Sequence, residues 1–179
     1  MHYLRILKGV TNMNTIKSMI HTEAIFSDDE QHRYLLKKTW DEKKAACTVI
    51  TMYPHLDGVL SLDLTTVLIL NQLANSEQYG VVYLVNLFSN IKTLENLKHI
   101  KESYEEHTDI HLMKAISESD TVILAYGAYA KRPVVVERVA QVMEMLKPHK
   151  KKVKKLINPA TNEIMHPLNP KACQKWTLK

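Results

Sequence analysis

The stretch Thr48-Val49-Ile50-Thr51-Met52-Tyr53-Pro54-His55-Leu56-Asp57-Gly58 decides the fold. It opens as a short, β-branched apolar run, breaks at a proline and passes through polar residues into a helix-forming block. A buried parallel strand delivers a loop to the carboxyl edge of a sheet in this way, and open α/β folds bind ligands at that edge. Working outward, the strand at residues 46–52 has three counterparts, at 80–87, 120–126 and 153–158. Each is a near-continuous apolar run, as expected of strands covered on both faces. Helix-forming blocks lie between them, at 62–76, within 94–117 and at 132–146. Strands separated by helix-length connections imply parallel pairing through right-handed crossovers. The expected architecture is a three-layer α/β/α sandwich with a four-stranded parallel sheet.

Upstream, residues 23–26 and 32–40 flank an acidic turn and read as a β-hairpin packed at the edge of that sheet. Residues 1–22 carry little pattern and read as a flexible arm or an externally docked helix. Residues 23–179 are then a single α/β domain. In the first helix Leu64, Val67, Leu68, Ile69, Leu70 and Leu73 make an apolar surface wider than one stripe, and Ser61 or Asp63 can cap it. The later helix gathers Val135, Val139, Val142, Met143 and Leu146 on one face and turns Glu137, Arg138, Gln141 and Glu144 to water.

The 179 residues are 45% hydrophobic and 24% charged, an ordinary soluble balance. No segment has the apolar length to span a bilayer, and Arg5 and Lys8 interrupt the apolar start, unlike a signal peptide. The expectation is a cytoplasmic protein with no membrane partner. Cys47 opens the first core strand and reads as a buried free thiol; no Cys/His spacing resembles a zinc site, so neither metal nor cofactor is expected. The net charge of +5 mildly favours a polyanionic partner. Its excess is concentrated at residues 147–155, where Lys150, Lys151 and Lys152 are the candidate nucleic-acid contacts. The competing reading is a cation-rich helix end followed by an edge strand guarded by lysines.

Four parallel strands would bring their carboxyl ends to one edge. The first delivers Tyr53, Pro54, His55, Asp57 and Asp63; the second ends in Asn86-Leu87-Phe88; the third ends in Tyr126-Gly127-Ala128-Tyr129; past the fourth lie Asn158 and His166-Pro167-Leu168. Amides, imidazoles, carboxylates and rings converging there suit a flat hydrogen-bonding ligand such as a nucleobase.

These residues resemble a bacterial family of unknown function, the DUF1643 domain. The resemblance is carried by Pro54 with Asp57 and Asp63, by Val85-Asn86-Leu87-Phe88, by Ala125-Tyr126-Gly127 and by His166-Pro167-Leu168, and it covers residues 25–176. That family in turn resembles the uracil-DNA glycosylase superfamily in its strand-loop proline, its strand-ending asparagine and glycine, and its late His-Pro. The second resemblance implies that Asn86 reads a base edge and that His166 stabilises charge on a departing base. It implies an acidic or amide residue at Tyr53, where a phenol is a poor base at neutral pH, so Asp57 or Asp63 would have to position water.

Each site residue also has a structural reading. Asn86 can tie a strand end to its loop, Asp57 can fix a turn, Asp63 can cap a helix and Tyr126 can pack a strand end. The function expected is a protein that binds a nucleobase, nucleotide or DNA, extending to hydrolysis of an N-glycosidic bond. The alternative is a non-catalytic nucleotide-binding or protein-interaction module. The sequence leaves the oligomeric state open.

Overall fold

The computed structural model describes residues 14–55, 58–91 and 103–179. The described strands are β1 (His21–Phe26), β2 (Arg33–Thr39), β3 (Ala45–Thr51), β4 (Tyr79–Asn86), β5 (Thr121–Leu124) and β6 (Val153–Lys155). They form one sheet in the order β1-β2-β4-β3-β5-β6. The expected four-stranded parallel sheet is corrected by this arrangement: the sheet is mixed and six-stranded. β1 with β2 and β2 with β4 pair antiparallel, and β3 with β4, β3 with β5 and β5 with β6 pair parallel. The hairpin does more than pack at an edge, because β2 continues the ladder along β4.

Period-two alternation sends successive side chains to opposite faces. Ile50 and Val85 join Leu112 and Ile116 of α2 (Glu106–Ser117) and Val135, Val142 and Leu146 of α3 (Pro133–Leu146). Cys47, Val49, Val82 and Leu84 join Ile69, Leu70 and Leu73 of α1 (Leu64–Asn75) and Ala172 of α4 (Pro170–Gln174). Helices therefore cover both faces. Cys47 is fully buried, and that burial raises its thiol pKa, so the residue is inert packing. No described helix is long and apolar enough to cross a membrane.

One correction concerns a side chain. Arg138, expected in water, is 2% exposed. Its Nε donates to the Leu87 carbonyl at 2.7 Å, its guanidinium pairs with Asp109 of α2, and it stacks 3.9 Å from the Tyr104 ring centre. A planar cation with donors on several edges can meet all three demands at once. The lysine run adopts a 3₁₀ turn (Lys147–Lys152) that leads into β6. Lys152 donates to the carbonyls of Ile116 and Ser119 at the end of α2, the position where a cation offsets a helix's partial negative charge.

Replacing Arg138 by methionine keeps the volume but strands Asp109 and the Leu87 carbonyl. Urea unfolding is expected to show a loss of about 3 kcal/mol; an unchanged midpoint would show that the pair carries no net stability.

Candidate functional site

β3, β4 and β5 end at one edge, and a cavity of about 510 Å³ opens there beneath the start of α1. From β3 the chain turns to β4 on one side and later returns to β5 on the other, so the cavity sits where the winding direction switches.

Asn86, the last residue of β4, pairs in register with Thr51, the last of β3. Asn86 is 4% exposed, and its Nδ2 donates to Thr51 Oγ1 at 2.6 Å. Its Oδ1 is buried with no partner among the described residues, and Asn86 lines the cavity. A desolvated acceptor left this way costs about 1–3 kcal/mol, which a donor on a ligand would recover.

His166 faces the same space from beyond β6. The Leu168 N–H donates to its Nδ1 at 3.2 Å, so the neutral ring carries its proton on Nε2 and offers a donor. Burial lowers its pKa below the ordinary value, and the Asp63 carboxylate opposes that shift. Gly127 makes this placement possible. It sits at φ +76°, and a Cβ there would lie 2.9 Å from the His166 Cβ and 3.2 Å from the His166 amide nitrogen. Only glycine combines that backbone with so close an approach.

Asp63 lines the cavity but is already engaged. One oxygen accepts from the Thr66 N–H at 3.0 Å and the other from Thr66 Oγ1 at 2.9 Å, which caps α1. Tyr53 lines the cavity while packing partly against the α2–α3 core. His55 reaches the cavity from an exposed position, and Tyr126 is a buried part of its wall. Burial raises the Tyr126 pKa, so its phenol stays protonated as a hydrogen-bonding group.

Two expected lining residues are corrected, Phe88 and Pro54. Phe88 is 2% exposed in the core and meets Tyr104 edge-on at 5.9 Å; it does not line the cavity. The backbone of 87–88 keeps bonding the end of β3, through Leu87 N to Thr51 O and Phe88 N to Met52 O, which carries Phe88 into the α2–α3 core. Pro54 is buried and is not part of the lining. Asp57 lies outside the described residues. Lys150, Lys151 and Lys152 precede β6, so they stand at the amino end of the parallel strands, opposite the cavity.

Sequence reasoning missed Thr51 and Arg33. Thr51 was findable, since aligning the ends of the first two strands sets it beside Asn86. Arg33 was not. A bulge skips Tyr34 in the β1–β2 register, which turns Arg33 to the face of Leu36 and into the cavity wall. Among the described residues, no group of three or more His, Cys, Asp or Glu side chains could hold a metal ion.

Fold and cavity together define a mixed α/β protein with a ligand-sized crevice at the carboxyl ends of its parallel strands. The chain belongs to the DUF1643 family, described as a protein of unknown function, whose model matches residues 33–168. Both ends of that span, Arg33 and Leu168, line the cavity. No curated protein and no solved structure matches the chain.

Two outcomes follow from this geometry. Gly127→Ala should lower stability by about 2 kcal/mol in chemical denaturation, because it adds both backbone strain and a clash; wild-type stability would refute the close-approach argument. The His166 ring should titrate below 6.5 by NMR. Because its folded pKa is depressed, its contribution is fully present above the unfolded value and lost as pH falls through the folded one. His166→Gln should remove that part of the decline, and an unaltered pH–stability curve would contradict it.

Proposed function

We propose that the cavity binds a nucleobase-bearing ligand, with Asn86 Oδ1 accepting from a ring N–H and the His166 Nε2–H donating to a ring carbonyl. The observation that carries this reading is the buried Asn86 acceptor in the cavity wall, which has no partner among the described residues. A site built to satisfy such a group rejects ligands that lack the matching donor. The aromatic and apolar lining from Tyr53, Tyr126 and Leu64 suits a flat ring, and the volume is that of a small-molecule pocket.

The likeness to uracil-DNA glycosylases in Pro54, Asn86, Gly127 and His166-Pro167 supports the same ligand class. It extends the reading to N-glycosidic hydrolysis, with His166 stabilising charge on the leaving base. One observation favours the alternative of non-catalytic binding. Both Asp63 oxygens are held by Thr66, so that carboxylate is poorly placed to take a proton from water. Binding is therefore the primary function, and hydrolysis depends on a group other than Asp63.

Calorimetric titration with purine and pyrimidine bases and nucleosides tests the proposal. Wild-type protein should bind at least one base bearing adjacent N–H and carbonyl groups, and Asn86→Leu should weaken it at least about tenfold without loss of fold. Equal affinity in the variant would sink the reading. Abasic-site formation in DNA carrying uracil or modified bases, lost in His166→Ala, would add hydrolysis to binding.

A further inference from the structure

The crevice could meet its base free, on a mononucleotide or in a polymer, and the charges around its mouth distinguish these cases. Tyr129 lies in the 3₁₀ turn Ala128–Lys131 that follows β5; it lines the cavity and is 38% exposed. The guanidinium of Arg132 lies 3.7 Å from the centre of that ring. Its neighbour Lys131 is paired with Glu163, whereas Arg132 forms no ion pair among the described residues. A stacked guanidinium is held in place by the ring yet keeps its in-plane N–H edge for oxygen ligands.

Among the described residues the rest of the mouth does not suit a polyanion, since Arg33, the other cation of the lining, is buried in the wall at 3% exposed. Leu64 is 62% and Leu168 44% exposed, and the Asp63 carboxylate stands at the amino end of α1. The lysine run is at the far end of the sheet, with Lys152 tied to α2. A nucleic-acid backbone is tracked by several cations along a groove, and binding without them is weak. Among the described residues Arg132 is the exposed cation beside the cavity of about 510 Å³, and one such cation matches a single anionic group on a small ligand.

We propose that the ligand is a free nucleoside monophosphate, its base held at Asn86 and His166 and its phosphate bound by Arg132 at the rim, and not a base presented by a nucleic-acid strand. This rests on the nucleobase reading above. Arg132 is a binding residue in this scheme, and its contribution adds to that of the base contacts.

Calorimetric titration of the full chain with a nucleoside, its 5′-monophosphate and a single-stranded oligonucleotide of the same base separates the possibilities. The monophosphate should bind at least about tenfold more tightly than the nucleoside and more tightly, per site, than the oligonucleotide. Arg132→Gln and Arg132→Ala, each checked for an unchanged melting temperature, should erase the phosphate gain and leave nucleoside affinity intact. A nucleoside that binds as well as its monophosphate overturns the Arg132 assignment alone and leaves the nucleobase site standing. Tighter oligonucleotide binding, or equal loss of nucleoside and monophosphate affinity in both variants, also overturns it. Absence of binding by all three ligands overturns both readings.

Discussion

Thr51 and Asn86 close the β3–β4 ladder as a register pair, and the cavity depends on that pairing. Parallel strands carry side chains alternately to the two faces, so a shift of one residue would turn Asn86 from the α1 side into the α2–α3 core. The correct register is enforced by burial further back along the strands. Cys47 and Val49 must meet Ile69 and Leu73 on one face, while Ile50 and Val85 must meet Leu112 and Ile116 on the other. The 2.6 Å bond from Asn86 to Thr51 then fixes the amide plane and leaves its oxygen without a partner among the described residues. Hydrophobic packing does the selecting, and the polar pair inherits a geometry that it could not impose alone.

Arg138 secures the next part of the frame. It reaches from α3 to the carbonyl just past β4, to Asp109 on α2 and to the Tyr104 ring, so three separate segments share one buried cation. Burying that charge is costly, and the cost is offset only while every partner is in place. Lys152 plays a similar part for the far end of α2, through the carbonyls of Ile116 and Ser119. Both residues are cations that composition alone would send to the surface. Their roles explain why a basic chain need not present a basic binding face.

Much of this was legible from local pattern. The apolar runs located β3, β4 and β5 to within one or two residues at most ends, because burial on both faces leaves little room for polar side chains. The assembled edge also followed, since parallel strands must finish on one side: Tyr53, His55, Asp63, Asn86, Tyr126, Gly127 and His166 all line the cavity. What escaped was long-range. Nothing local says that β2 will extend the ladder along β4, or that a bulge at Tyr34 will turn Arg33 inward. Phe88 was misplaced because the backbone keeps bonding the end of β3 for two residues beyond β4. Arg138 was misread because its helical position looks polar until Asp109, Tyr104 and the Leu87 carbonyl are seen to converge on it.

The contact between Gly127 and His166 has a consequence for how the molecule is made. Gly127 follows β5, whereas His166 comes only after α3 and β6 have been threaded into place, with Met165 N bonding the Leu156 carbonyl just past β6. The cavity wall is thus completed by a sequence-distant closure whose loop entropy is met late, after the more local β3–α1–β4 unit can form. A chain interrupted before that closure could hold a sheet and most of a core and still have no site. An intact cavity wall in this fold is a report that the last segment has docked.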